Sequence, residues 1–310
     1  MKILITGGLG HIGSYLIENI GKIKFVKKVY VIDNFSTSRY CSLFNLPKTN
    51  KKIYFYQKDL AATNALKNFK RSDIVINLAS LTDAESSFKI KNKFYRTNLG
   101  IFKNVLTYCI KNSSQLIHFS STSVYGEQKG LVDENCKKLS PKSPYAKCKI
   151  TEENILKKNK NKISFVSYRF GTIAGISKGM RFHSAINRFS FNVFLGKPLP
   201  VWIGMMNKPR PYLSLKDAFK VIKFTIEKNF FNNETFNIIS QHLTVKEIIG
   251  YFKKYKKTIK VKQVKSKLLN QHSYKISNKK FSRRAFTLKS NIRYDIKSTL
   301  KMFRNINNEM

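Results

Sequence analysis

The chain predicts a doubly wound α/β fold: a parallel sheet flanked by helices, followed by a smaller C-terminal α/β unit. Two observations carry this. Apolar runs of strand length alternate with longer segments of helical period through the first half, as repeated βα units require. Beyond about Gly175 the alternation gives way to pieces punctuated by Gly and Pro, such as Gly196-Lys197-Pro198-Leu199-Pro200 and Lys208-Pro209-Arg210-Pro211. The units divide at 1–174 and 175–310, with the second free to cross back to the sheet.

Taken in order, Lys2–Thr6 is a strand that runs into Gly7, and His11–Ile20 has helical period. Val29–Asp33, Ile53–Gln57 and Ile74–Ala79 are strands, Lys93–Lys111 is a helix and Gln115–Ser120 is a strand. Pro144 suits a first helical turn, so a helix spans Tyr145–Lys158, and Ser164–Phe170 follows as a strand. No run approaches the roughly 18 apolar residues of a membrane span. The apolar start meets Gly7-Gly8 too soon for a signal peptide.

With 310 residues, 42% hydrophobic and 25% charged, the composition is that of a globular protein and excludes disorder, collagen and coiled coil. Cys41, Cys109, Cys136 and Cys148 are dispersed and lack clustered His, so neither a metal site nor a disulfide framework is expected, and a reducing cytoplasm is. The net charge of +42 is the abnormal number. Only 11 of the 59 basic residues are Arg, and the Lys are spread along the whole chain. Nucleic acid is therefore not the expected partner, since that footprint clusters Arg with interleaved aromatics. A general residue bias explains the excess, and its field would attract phosphorylated substrates.

Thr6-Gly7-Gly8-Leu9-Gly10-His11-Ile12-Gly13-Ser14 follows a strand and opens a helix, the context of a Rossmann-type dinucleotide fingerprint. Gly7, Gly10 and Gly13, spaced GxxGxxG, permit a tight turn and close approach of a pyrophosphate to the N–H groups around His11 and Ile12 at the helix N-terminus. Asp33 ends the second strand 20 residues after Gly13, where a carboxylate accepts ribose hydroxyls and repels a 2′-phosphate. NAD is thus expected over NADP. Asp59-Leu60 would sit near the adenine, and Leu78-Ala79 end the fourth strand where the cofactor would lie.

Tyr145 and Lys149 stand four apart on one helical face. A free phenol, with a pKa of about 10, is a poor base, but a neighbouring ammonium stabilises the phenolate. Upstream, Ser120-Ser121-Thr122-Ser123 ends a strand that would face the same crevice, so Ser121 is placed to bond a reacting sugar oxygen and relay its proton to Tyr145.

With Val31-Ile32-Asp33-Asn34, Asn98, Val124-Tyr125-Gly126, Tyr168-Arg169-Phe170 and Arg210-Pro211-Tyr212-Leu213, these residues resemble the extended short-chain dehydrogenase/reductases, specifically the NAD-dependent nucleotide-sugar epimerase/dehydratase group. The resemblance implies a Rossmann domain that holds NAD with Asn34 among its contacts, a C-terminal substrate domain for a UDP-linked sugar, and a homodimer. It makes Ser121, Tyr145 and Lys149 catalytic, Asn98 a structural residue near the cofactor, Arg210 a diphosphate partner and Asn187 a substrate contact. Arg181 or Arg188 would be a second phosphate partner. The group's 4,6-dehydratases carry Asp-Glu where this chain has Thr122 and Ser123, so a UDP-glucose 4-epimerase-like reaction through a 4-keto sugar is expected. Gly171 replaces the Asn that many sugar epimerases have. The alternatives are decarboxylation of UDP-glucuronate, reduction, sulfosugar synthesis, or a non-catalytic NAD-binding scaffold with a polyanion-binding surface.

Overall fold

In the computed structural model, which describes residues 1–84, 86–265 and 274–303, β1 (Lys2–Thr6) is buried from Ile3 onward. Ile3 and Ile5 enter one apolar layer and Leu4 the other, as the period-two pleat dictates. A parallel strand covered by helices on both faces needs such an unbroken apolar run. The chain continues through α1 (His11–Glu18), β2 (Lys28–Asp33), β3 (Lys52–Gln57), β4 (Ile74–Asn77), α2 (Lys91–Asn112) and β5 (Gln115–Ser121). After β6 (Leu131–Val132) come α3 (Pro144–Lys158), β7 (Phe165–Phe170), β8 (Thr172–Ala174), α4 (Ala185–Phe194), β9 (Leu199–Trp202) and β10 (Arg210–Ser214). The last elements are α5 (Leu215–Glu227), β11 (Glu234–Ile238), β12 (Gln241–Leu243), α6 (Val245–Lys253), β13 (Val261–Val264), β14 (Lys275–Ile276), α7 (Lys279–Arg284) and α8 (Ile292–Lys301).

Seven strands form one parallel sheet in the order β3-β2-β1-β4-β5-β7-β11. Leu16 and Ile17 of α1 and Val221 and Ile222 of α5 cover one face. Phe102 and Val105 of α2 and Leu156 of α3 cover the other. The order reverses between β1 and β4, which opens a crevice at the carboxyl ends of the strands. β11 comes from far beyond Gly175 yet pairs with β7, Phe236 opposite Tyr168, so the C-terminal half contributes both a strand and α5 to the main layer. The remainder builds a smaller unit around the sheet β12-β10-β8. Its core joins Ile186 and Phe189 of α4, Ile248 and Phe252 of α6, and Ile292 and Ile296 of α8.

Most boundaries shift by one or two residues from the sequence reading, and two of the shifts have a clear local cause. α1 stops at Glu18, not Ile20, because the Asn19 side-chain amide donates to the Tyr15 carbonyl at 2.9 Å and a 3-10 turn, Ile20–Lys22, follows. β4 stops at Asn77, whose Oδ1 accepts the Thr6 hydroxyl at 2.7 Å; Leu78 and Ala79 then pass over the turn at Gly7.

Candidate active site

Gly7 has φ +62°, in the region a side chain disfavours. A Cβ there would stand 2.6 Å from the Ala79 nitrogen, and one on Gly13 would stand 2.5 Å from the Gly8 carbonyl oxygen. Gly10 caps α1 without a side chain to satisfy the first helical N–H groups. That end is a ready anion cradle, and His11, Ile12 and Gly13 line the cleft beside it.

The cleft, about 340 Å³, runs from this turn across the carboxyl ends of β2, β4, β5 and β7. It brings together Gly7, Gly10, Asp33, Asn34, Asp59, Leu60, Leu78, Ala79, Ser121, Tyr145, Lys149 and Arg210. Asp33 is tied to the turn: its Oδ2 accepts the Leu9 N–H at 3.1 Å and its Oδ1 the Phe35 N–H at 3.0 Å. Asn34 accepts from Ser36 and Asp59 from Ala61 in the same local manner. Asn98 does not line the cleft. Buried in α2, it accepts the Leu81 N–H at 2.7 Å and donates to the Leu81 carbonyl at 3.1 Å, clamping the segment after β4.

A strap from the second half crosses the glycine turn. His11 Nε2 donates to the Gly175 carbonyl at 2.8 Å, the Ser177 hydroxyl to the His11 carbonyl at 2.8 Å, and the Gly179 N–H to Ser14 Oγ at 2.9 Å. A Cβ on Gly179 would lie 2.1 Å from the Leu9 carbonyl oxygen. Burial, with Arg181 and Arg39 nearby, outweighs the Gly175 hydrogen bond and pulls the His11 pKa down to about 3. The imidazole is therefore neutral, and it adds no charge to the helix N-terminus.

On the other side, Ser143 caps α3 by accepting the Ala146 N–H at 3.1 Å, with Pro144 in the first turn. This sets the helical phase that puts Tyr145, Lys149 and Glu152 on one face. Phe94 meets the Tyr145 ring edge-on at 6.3 Å, and Lys149 Nζ lies 5.8 Å from that ring's centroid. Burial works against the Lys149 ammonium, but the Glu152 carboxylate at 2.8 Å and Tyr145 more than offset it, so its pKa is raised and it stays cationic. Ser121 ends β5. Its Oγ accepts both the Ser123 N–H at 3.2 Å and the Ser123 hydroxyl at 2.9 Å, which leaves its own proton for the cleft. Behind it, Glu153 binds Arg169 through two bonds of 2.9 and 2.7 Å and accepts the Ser120 hydroxyl at 2.6 Å.

Asn187 does not line the cleft. It is fully buried at the start of α4 and donates to the Arg181 carbonyl at 2.9 Å. The helical register turns it inward, and the side chain that reaches the cleft from this segment is Arg181. Its Nη1 donates to Thr82 Oγ1, and its Nε is buried without a hydrogen-bond partner among the described residues. Burial pulls this guanidinium down, opposed by the nearby Tyr145. Arg39, Lys58, Thr82 and Tyr274 also line the cleft, and no motif in the sequence pointed to them. The Arg210 guanidinium lies 6.0 Å from the centroid of the Tyr274 ring.

Fold and cleft together define a Rossmann-type dinucleotide-binding protein. Residues 3–238 match the model of the NAD dependent epimerase/dehydratase family, and the chain belongs to it. The uncharacterized UDP-glucose epimerase YtcB of Bacillus subtilis (strain 168) is 33% identical over 250 residues, 77% of this chain and 76% of that protein. Among solved structures, a Tyr-to-Phe mutant of the UDP-glucuronic acid 4-epimerase of Bacillus cereus, in complex with UDP-4-deoxy-4-fluoro-glucuronic acid and NAD, superimposes with a TM-score of 0.89 at 23% identity, covering 99% of this chain and 100% of that one. DesIV, the dTDP-glucose 4,6-dehydratase of Streptomyces venezuelae, gives 0.87 at 19% identity, covering 99% and 98%. The cleft fits the family's cofactor: Gly7 and Gly13 hold a turn any Cβ would fill, α1 presents an uncapped N-terminus, and Asp33 stands at the end of β2.

Proposed function

We propose that the protein is a UDP-hexose 4-epimerase, inverting C4 of the sugar through a transient 4-keto form. The observation that carries this reading is the meeting of Ser121, Tyr145 and Lys149 with the glycine turn in one cleft, beside hydroxyls, not carboxylates, at Thr122 and Ser123. Gly7, Gly10, Gly13, Asp33 and Lys149 would hold NAD, which when bound would serve as a reversible hydride acceptor. The side chains handle the proton and the geometry. Tyr145, beside the Lys149 cation, removes the C4 hydroxyl proton as that carbon is oxidised and returns it afterwards. Ser121 directs its free O–H at the reacting oxygen and holds it in place. Arg210 offers a planar guanidinium to the diphosphate. Water elimination would need an acid placed at C6, and Thr122 and Ser123 do not provide one. The unit 175–310 is the sugar-binding part in this reading, apart from α5 and β11, which belong to the sheet.

Arg181 favours a second, more specific reading, in which the hexose is a uronate. A buried cation in the cleft beside Tyr145, with Nε unpartnered, suits a carboxylate on the sugar. The 4-keto form of a uronate is a β-keto acid that sheds carbon dioxide readily, so this charge pair would also decide between epimerisation and decarboxylation. A cytoplasmic homodimer completes the proposal. The exposed Phe88 and Ile90 ahead of α2 support the dimer part of this reading.

The test is product analysis by mass-detected chromatography after incubating the protein with UDP-glucose, UDP-galactose, UDP-glucuronate and UDP-galacturonate. An isobaric epimer is expected. Loss of carbon dioxide or water from any donor would replace the proposal. Tyr145→Phe should lower turnover by about 10²- to 10⁴-fold with NAD retained.

A further inference from the structure

Behind Lys149 lies a group of buried ionisable side chains that the reaction above does not use. Glu152 Oε2 sits 2.8 Å from Lys149 Nζ and 2.9 Å from His118 Nε2. His118 in turn makes a 2.9 Å bond between its Nδ1 and Ser167 Oγ. Lys149, Glu152 and His118 are 5%, 2% and 0% exposed. The neighbouring Glu153 is fully engaged elsewhere, by Arg169 and Ser120. A chain with only 17 acidic residues thus spends one of them, out of water, on the cation beside Tyr145.

We infer that Glu152, oriented by His118, is a positioning residue: it anchors one donor of the Lys149 ammonium, aims the other two into the cleft, and moderates the positive field that Lys149 exerts on Tyr145. The donor arithmetic supports this. An ammonium has three N–H donors and no acceptor, so fixing one leaves two directed at the cleft that Lys149 lines. The imidazole is set as well. With Glu152 ionised, His118 donates from Nε2 to its carboxylate, and Ser167 Oγ fixes the ring from the other side at Nδ1. Removing that charge leaves Lys149 unbalanced beside the phenol, which favours phenolate and shifts its titration to lower pH. The ammonium itself loses its carboxylate and gives up its proton at lower pH. Other groups facing this pair are Cys148 on α3, which acts on Lys149, and Arg181 from the segment before α4, which acts on Tyr145.

The inference rests on Tyr145 acting as the proton-transfer group, so the experiment carries a readout that needs no turnover. Tyrosinate absorbance of the NAD-loaded protein is titrated against its Tyr145→Phe counterpart, with and without Glu152→Gln, and the difference isolates Tyr145. Glu152→Gln should move that titration down by about one pH unit, and both limbs of the kcat–pH profile should follow. Glu152→Asp, which keeps the charge, should return most of the titration to its unsubstituted position, and His118→Phe should reproduce part of the shift with Glu152 present. An unchanged Tyr145 titration in a folded, NAD-retaining Glu152→Gln protein, whatever the loss of stability, would overturn the inference. Should no sugar nucleotide turn over, the absorbance titration still decides the role of Glu152, while product analysis alone decides the reaction.

Discussion

The two walls of the cleft are built on different rules. The wall around the glycine turn comes from β1, β2, β4 and the residues just after them, and its contacts are largely main chain: Gly7 against Ala79, Gly13 against Gly8, Asp33 gripping the Leu9 N–H. The opposite wall is a collection of side chains, Arg181, Arg210 and Tyr274, delivered by segments far apart in sequence. At its glycines the first wall tolerates no side chain at all, whatever its chemistry. The second works only through the chemical identity of each side chain.

Substitutions should separate the two walls. The largest effect is expected from Gly13→Val, which forces bulk into a 2.5 Å gap: NAD retention after purification should be lost altogether, as read by the nicotinamide content of the denatured protein. Arg181→Met should leave NAD in place and lower kcat/KM for a UDP-hexuronate by about 10²-fold, the scale of one lost charge-assisted contact, while a neutral UDP-hexose loses little. Equal losses on both sugars would dissolve the contrast between the walls. Asp33→Asn should be milder still, shifting the preference for NAD over NADP by about tenfold toward NADP in competition binding, because it removes one charge and keeps the shape.

The smallest effect near neutrality concerns pH. Burial acts against Glu153, but Arg169 outweighs it and holds the carboxyl below its ordinary range. A folded pKa lowered in this way contributes stability that is present above the unfolded value of about 4.3 and is lost as pH falls through the folded one. Denaturant midpoints should therefore be level above about pH 7.5, decline below the unfolded value of about 6.5 because the buried His11 stays neutral, and fall further below about pH 4.5 as Glu153 protonates. Arg169→Leu should reduce stability by about 3–5 kcal/mol at neutral pH by stranding the buried Glu153.

This division also explains what could be read in the sequence. The strands of the main sheet and the glycine turn were legible because each is a local pattern: an apolar run, a glycine spacing, a carboxylate at a strand end. Tyr145 and Lys149 were legible because one helix carries both. Arg39 and Tyr274 were not, since nothing in their neighbourhoods distinguishes a cleft-facing cation or ring from a surface one. The resemblance puts the segment of Asn187 at the substrate site without fixing its rotation, and a helix turned by one residue exchanges the inward position for the exposed one. The strand at Glu234–Ile238 posed a similar problem, since short apolar runs do not say which sheet they join.

That last strand has a consequence for any attempt to divide the molecule. β7 is bounded on one side by β5 and on the other by β11, so a fragment ending at residue 174 would present β7 as a raw edge, with the N–H and C=O groups that face β11 unmatched. Bare, flat, apolar edges recruit further strands, and such a fragment is expected to precipitate or form ladders of copies. During synthesis the same edge stays open until roughly sixty more residues have emerged, an interval in which the nascent chain depends on chaperones or on its own abundant lysines to keep neighbours apart.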